Sequence, residues 1–188
     1  RAAGRVGCAS NGGAAAVEGG AGSLRGGGGG FFAGAVGGVM AAGRSYRGRG
    51  EREAGFLHLM QEMFPDIEVV GLREGLDDIE KTYRQTRTLL KQFPDLAGIY
   101  NVGGAHDGVA RALKETGRQL KVVYIGHGLS SDTRSLLIDG TMDAVITQNP
   151  QAAIYSCVRI FTNLRDRHDV LTGVETPRSQ VIFRENLP

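Results

Sequence analysis

The chain has 188 residues, enough for one ordinary domain and part of a second. Its net charge of +2, with 22% charged residues, excludes the strongly basic surface that is typical of nucleic-acid-binding proteins. The two cysteines, Cys8 and Cys157, match no metal or redox spacing, so free thiols are predicted, with neither a metal nor a cofactor. No apolar run is long enough to cross a membrane, and no membrane partner is expected.

The amino-terminal part differs in composition from everything after it. More than half of the 30 glycines lie within residues 1–50, and residues 1–43 are treated as a segment of their own. Because glycine loses more backbone entropy on folding than any other residue, this segment is expected to be largely disordered or aberrant. A glycine-rich phosphate loop is the alternative, but neither Gly-Lys-Ser nor Gly-Lys-Thr follows the glycines.

Residues 44–188 alternate between short apolar runs and amphipathic segments. This alternation, with short connections, predicts an α/β fold in which a parallel sheet is flanked by helices. Asp77 or Asp78 is expected to cap the second helix, and Ser131-Asp132 the fourth. The predicted elements are, in chain order, helix 51–64, strand 67–70, helix 79–93, strand 96–100, a helix from 106 to about 113, strand 120–125, helix 131–138, strand 144–146, helix 151–166 and strand 179–184.

Polar loops follow four of these strands. The carboxyl ends of parallel strands meet at one edge of a sheet, which is where open α/β sheets bind ligands. The mixture of amide, hydroxyl and charged groups in these loops suits a polyol, whose hydroxyls both donate and accept, and suits a metal badly. We therefore expect a small-molecule site at this edge, formed by residues 73–78, Asn101, residues 127–130 and residues 148–149.

Segments with recognisable patterns occur in a fixed order over about residues 44–188: Arg52-Glu-Ala-Gly-Phe56, Ile99-Tyr-Asn-Val-Gly103 with Gly108–Leu113, Val123-Tyr-Ile-Gly126, Asp139-Gly140 with Ala144–Gln148, and Gln180–Asn186. Together they resemble the sugar-binding domain of LacI/GalR-type transcriptional regulators and of the related periplasmic sugar-binding proteins. The resemblance implies the second lobe of a type I periplasmic-binding-protein-like fold. It also implies that the first lobe and an amino-terminal DNA-binding region are absent from this chain.

The resemblance also implies ligand-binding residues. Arg52 matches an arginine that hydrogen-bonds the ligand, Asn101 lies in the ligand loop, and Gln148 matches a glutamine where the chain crosses between lobes. Two positions depart from the family pattern: Gly128 replaces an acidic residue, and Asp77 lies near the position of a stacking aromatic residue. Both departures remove sugar contacts.

Each candidate has a structural alternative. In the structural alternative, Arg52 is a solvated residue on a charged helix face. Asn101 would then only hydrogen-bond the backbone of its turn, and Gln148 would only be a turn residue. His127 completes the ligand-binding set, although it has no positioned partner in the sequence and a structural role is favoured. The other histidines, His58, His106 and His168, are expected at the surface.

The leading interpretation is the sugar-sensing effector domain of a bacterial LacI/GalR-type regulator. It implies a cytoplasmic homodimer that binds a sugar, and operator DNA only through the missing amino-terminal region. The alternative is the substrate-binding protein of a sugar ABC importer, which shares the fold. An enzyme is not expected, because no nucleophile–base arrangement, metal spacing or nucleotide fingerprint is present. For the same reason no catalytic residue is predicted.

Overall fold

The computed structural model describes residues 6–8, 15–17, 36–41, 47–176 and 178–188, and the fold is given for these ranges. The strands are β1 (Val6–Cys8), β2 (Ala15–Val17), β3 (Val36–Ala41), β4 (Glu68–Glu74), β5 (Leu96–Asn101), β6 (Val123–His127), β7 (Ala144–Gln148) and β8 (Ser179–Ile182). The helices are α1 (Arg47–Met63), α2 (Ile79–Gln92), α3 (His106–Glu115), α4 (Ser131–Ile138) and α5 (Pro150–Arg165), followed by a 3-10 turn at Arg184–Asn186.

A six-stranded sheet with the order β4-β3-β5-β6-β7-β8 forms the centre of the fold. All neighbours in it run parallel except β7 and β8, which are antiparallel. The short strands β1 and β2 pair with each other in a separate antiparallel ladder. The predicted α/β class, a mostly parallel sheet flanked by helices, is therefore confirmed, with an antiparallel strand added at one edge.

The strand order reverses beside β3. From β3 the chain moves outward to β4, then crosses back over β3 to β5 and continues in the other direction. The carboxyl ends of β3 and β5 therefore lie side by side at the point of reversal. In open α/β sheets the connecting loops diverge at this point and leave a crevice, which is the usual place for a ligand.

Apolar side chains alternate along the strands and form a core on each face of the sheet. Ile99 and Tyr124 belong to the larger core, which contains buried residues of α2, α3 and α4. Tyr100 and Ile146 belong to the smaller core, against which Phe56 of α1 packs. Consecutive residues at the end of a strand therefore point to opposite faces of the sheet, because side chains alternate with a period of two.

Strand β3 was not predicted. It lies inside the glycine-rich segment 1–43, yet it pairs with β4 through Gly37↔Val69 and with β5 through Gly38↔Ile99. Its ladder partners are distant in sequence, so the local glycine content carries no signal of this pairing. Apart from the three short strands, segment 1–43 lies outside the described residues, and the division at residue 43 stays a prediction.

Two predicted strands are placed wrongly. Strand β4 extends to Glu74, into the predicted polar loop, because its ladder with β3 continues to Ala41↔Glu74. Strand β6 begins at Val123 rather than at Leu120, which is 77% exposed in the turn after α3. It also includes His127, which was placed in a loop, because His127 pairs with Ile146 of β7.

The helix caps agree with the prediction in one case and differ in another. Asp78 caps α2 by accepting a hydrogen bond from the Lys81 N–H at 2.5 Å, as predicted. Helix α4 is capped by Ser130 rather than by Ser131-Asp132. The Ser130 N–H in turn donates to Oγ1 of Thr133, which completes a capping box.

Helix α5 exposes a row of large apolar side chains. Ile154 is 63% exposed, Val158 55% and Phe161 70%, so the described residues leave this face largely uncovered. The helix is nevertheless held to the segment that follows it, since the Asn163 side chain donates to the carbonyl oxygens of Val170 and Thr172. An exposed apolar face of this kind is typical of an interaction surface.

We predict that Gly108→Ala destabilises the fold. A Cβ at Gly108 of α3 would lie 2.5 Å from the carbonyl oxygen of Ile79 and 2.9 Å from the amide nitrogen of Tyr83, so α2 and α3 would have to separate. The expected loss is about 1–3 kcal/mol in the free energy of unfolding, measured by urea titration. The control is Gly50→Ala in α1, where a Cβ meets nothing within 4 Å, and which should be neutral or stabilising by up to about 1 kcal/mol. Equal urea midpoints for the two variants would contradict the tight packing of α2 on α3.

Candidate functional site

Polar and aromatic side chains meet where β5 and β6 end, beside the point at which the strand order reverses. Strand β5 contributes two of them, β6 two more, α1 two, and the first turn of α3 contributes a histidine. Three of the four predicted ligand-binding residues belong to this set, together with aromatic side chains that were not predicted as ligand-binding residues. We call this set the edge cluster: Arg52, Phe56, Tyr100, Asn101, His106, Tyr124 and His127.

On the α1 face of the sheet, the cluster is a chain of ring contacts beside a guanidinium group. The Phe56 ring stacks on Tyr100 with centroids 4.6 Å apart, and the Tyr100 hydroxyl lies 2.7 Å from Nε2 of His127. Arg52, one turn before Phe56 on α1, donates from Nη1 to the carbonyl oxygen of Val102 at 3.3 Å. These contacts fix the Arg52 side chain near the Tyr100–His127 pair.

Tyr100 and His127 are both neutral at ordinary pH. Burial, with the nearby charge of Arg52 adding to it, lowers the pKa of His127 to about 3. Burial raises the pKa of Tyr100 above its usual value. The phenol is the better proton donor of the two, so it is assigned as donating to Nε2, which leaves the imidazole proton on Nδ1.

Asn101 is buried and holds the loop after β5. Only 3% of the residue is exposed. Its Oδ1 accepts from the Gly103 N–H at 3.1 Å, and its Nδ2 donates to the Gly104 carbonyl oxygen at 3.0 Å. The side chain thus satisfies turn backbone, which was the structural alternative, and a ligand contact by its amide stays a prediction.

His106 belongs to the cluster, and its predicted surface position is wrong. Its Nε2 lies 2.9 Å from the carbonyl oxygen of His127, which accepts only, so Nε2 carries the proton. Nδ1 is then an acceptor for Asn101 Nδ2 at 3.2 Å and for the Tyr124 hydroxyl at 3.0 Å. Burial lowers the pKa of His106 and so favours this neutral form. The one sequence signal was its position five residues after Asn101, at the start of α3; His58 and His168 are exposed, as predicted.

Gly126 makes room for His106. A Cβ at Gly126 would lie 2.8 Å from Cε1 of His106 and 3.1 Å from the Met142 methyl group, so any side chain on β6 at this point would displace the imidazole. The buried position of the His106 ring on α3 therefore depends on the absence of a side chain at Gly126 on β6.

The remaining predicted residues lie along the same edge of the sheet. Gln148 ends β7 and is exposed, and in the described part of the chain no hydrogen bond joins its side chain to the edge cluster. Asp77 accepts from the Gly104 N–H at 2.8 Å and so ties the loop after β4 to the loop after β5. Gly128 continues from His127 with φ of +83° and carries no side chain.

The described residues contain no group of three His, Cys, Asp or Glu side chains arranged to hold a metal ion. None of the helices in the described ranges combines the length and apolar character that crossing a membrane requires. A groove of about 550 Å³ lies along α5, lined by residues such as Tyr155, Arg159 and Glu175, and does not include the edge cluster.

The sequence of residues 26–167 matches the model of the Periplasmic binding protein domain family. Since the match covers most of the chain, the protein belongs to this family. No curated protein sequence is significantly similar to the chain. The resemblance noted above to periplasmic-binding-protein-like domains is therefore confirmed at the level of this family.

Solved structures of the same fold include sugar-binding proteins. GanP, a glucose-galactose binding protein from Geobacillus stearothermophilus, is 23% identical with a TM-score of 0.72, over 82% of this chain and 54% of that one. The sugar-binding protein of a Bacillus halodurans sugar ABC transporter is 22% identical with a TM-score of 0.72, over 81% and 56%. An ABC transporter solute binding protein from Agrobacterium vitis with bound D-fucose is 24% identical with a TM-score of 0.70, over 82% and 53%.

These similarities confirm the periplasmic-binding-protein-like fold. The chain spans only about half the length of these solved structures.

We predict that the stability of the chain falls as the pH drops from 7.5 to 5. His106 and His127 have pKa values in the folded state below the usual 6.5, so in this range the unfolded chain binds more protons. The free energy of unfolding should fall by up to about 1.4 kcal/mol per pH unit for each histidine. Urea titrations across this range measure the slope, and His127→Gln should reduce it. A flat profile, or the same slope in the variant, would contradict the buried neutral form of His127.

Proposed function

We propose that this chain contributes one lobe of a sugar-binding protein, and with it half of a binding site. The single observation that carries the proposal is the edge cluster, in which Arg52, Tyr100 and His127 meet beside the reversal point of the sheet. Membership of the Periplasmic binding protein domain family supports it. So do the solved structures of the same fold whose names state that they bind sugars.

The cluster offers the chemistry that a sugar requires. Arg52 supplies a planar fork of N–H donors, and the proton on Nδ1 of His127 is a further donor. Gln148 adds an exposed amide at the same edge, which both donates and accepts. Because Tyr100 and Phe56 hold these groups in place through packing, little conformational entropy is lost when a ligand binds.

The cluster does not suit acid–base catalysis. A general base works best with a pKa near the operating pH, whereas the pKa of His127 is lowered to about 3. His106 has one ring nitrogen bonded to a carbonyl oxygen and the other to Asn101 and Tyr124. We therefore propose a binding protein and not an enzyme.

Two classes of full-length protein could contain this lobe. The first is a bacterial LacI/GalR-type regulator, in which sugar closes two lobes and alters how a DNA-binding region outside this chain meets its operator. Such a regulator would be a cytoplasmic homodimer. The regulator is supported by the family-like sequence segments that follow one another in a fixed order from Arg52 to Asn186. The second is the binding protein of a sugar ABC importer, which is supported by the names of the solved structures.

The exposed face of α5 supports a two-lobed protein in either case. Ile154, Tyr155 and Phe161 are 63%, 74% and 70% exposed, which is more apolar surface than one helix normally leaves to water. We propose that the other lobe covers this face. The reading frame upstream of Arg1 decides between the two contexts: a helix-turn-helix region defines the regulator, and a secretion signal defines the importer protein.

We predict weak sugar binding at the edge cluster. In an NMR titration of the labelled chain with D-glucose, D-galactose or D-fucose, backbone amides of residues 100–104 and 126–128 should shift with a Kd of about 1 mM or weaker, since a half site forms only part of the contacts. Amides around Lys114 and Asp139, which form an ion pair away from the cluster, serve as the internal control and should not move. If no sugar shifts the cluster amides, the proposal that this edge binds sugar fails.

A further inference from the structure

Arg52 brings a positive charge to the edge cluster that no carboxylate balances in the described part of the chain. Its hydrogen bond from Nη1 to the Val102 carbonyl oxygen is long, at 3.3 Å, and the side chain is half-buried. Among the described residues Arg52 forms no ion pair, whereas other arginines, such as Arg87 and Arg111, are paired with glutamates. Most of the Arg52 fork therefore remains available to a ligand.

The surroundings of Arg52 are apolar or neutral. Phe56 and Tyr100 stack beside it, Val102 is fully buried, and the Tyr100 hydroxyl is engaged with His127. His127 is followed by Gly128, so the first residue after β6 adds no acceptor group there. Among the described residues no carboxylate is paired with Arg52, so this face of the cluster presents N–H donors to a ligand.

Acidic groups lie at the other end of the cluster. Burial lowers the pKa of His106 against the opposing negative charges of Asp107, Asp77 and Asp132, whereas the positive charge of Arg52 adds to burial in lowering the pKa of His127. The cluster is therefore positive at its α1 end and negative at its α3 end. A ligand that matches this polarity has an anionic group at one end and hydroxyl donors at the other.

We propose that the ligand class of this edge is a sugar acid, an aldonate or a uronate, whose carboxylate binds the Arg52 guanidinium group and whose hydroxyls extend towards α3. A carboxylate accepts hydrogen bonds only, and its two oxygens fit the parallel N–H groups of an arginine fork. A neutral sugar hydroxyl also accepts from Arg52, but it presents one uncharged oxygen where a carboxylate presents two charged ones. The inference rests on the proposed sugar-binding function and narrows it.

The test compares each hexose with the uronic acid that differs from it only at C6. The unmodified chain is titrated at pH 7.5 with D-glucose and D-glucuronate, D-galactose and D-galacturonate, and D-mannose and D-mannuronate, and the Kd is taken from the shifts of the cluster amides. In at least one pair the uronate should bind about 10- to 100-fold more tightly than its hexose, because charge-assisted bidentate hydrogen bonds are stronger than neutral ones.

Variants assign the preference to Arg52. Arg52→Gln should abolish the difference within the pair, and Arg52→Lys, which keeps the charge and loses the fork, should retain part of it. The matched control is Arg165→Gln at the end of α5, an exposed arginine that bonds to Asp166 and should leave the preference unchanged. An amide spectrum that matches that of the unmodified chain, apart from shifts near the substituted residue, establishes that each variant is folded.

The outcomes separate the two proposals. A hexose that binds as tightly as its uronate overturns the sugar-acid inference and leaves the sugar-binding function in place. A uronate preference that survives in Arg52→Gln also overturns the inference, because the carboxylate would then bind elsewhere. Failure of every hexose and every uronate to bind overturns both the proposed function and the inference.

Discussion

The position of β3 in the sheet is the constraint on which the site depends. Six residues, Val36–Ala41, pair with β4 on one side and with β5 on the other. This double pairing creates the reversal of strand order. It also places α1, the helix that follows β3, where Arg52 and Phe56 reach the end of β5. Without β3, β4 would have no partner in the sheet and α1 no fixed position against Tyr100.

The end of β5 joins two hydrogen-bond networks because neighbouring side chains face opposite sides of the sheet. Tyr100 points to the α1 face and contacts His127, while Asn101 turns to the α3 side and contacts His106. The hydrogen bond from His106 to the carbonyl oxygen of His127 links the two networks through β6. Both histidines are neutral; both ring nitrogens of His106 are engaged by neighbours, whereas His127 uses Nε2 for Tyr100 and keeps the proton on Nδ1 for a ligand. In the proposed site, recognition is then left to Arg52, to the Nδ1 proton of His127 and to the exposed Gln148 at the same edge.

Much of this arrangement was predictable from periodicity, and what was missed has a physical reason. Amphipathic spacing predicted α2 with its Asp78 cap because both signals are local. Strand β3 was missed since its stability comes from distant ladder partners. His106 was misplaced because half-burial at the start of a helix depends on Tyr124 of another strand and on the space left by Gly126. The regulator identity, the cytoplasmic location and the ligand role of Gln148 stay predictions.

The central claim is that β3 lies between β4 and β5, and amide hydrogen exchange measures it directly. In a central strand the successive backbone amides donate to one neighbouring strand or the other, and they exchange only on large-scale opening. The account predicts that amides of Gly37–Met40 are protected to a degree comparable with those of Gly98–Asn101 in β5. If residues 37–40 exchanged as fast as an unstructured chain while β5 remained protected, the strand order would be wrong. The edge cluster would then lose the basis on which it is assigned as a binding site.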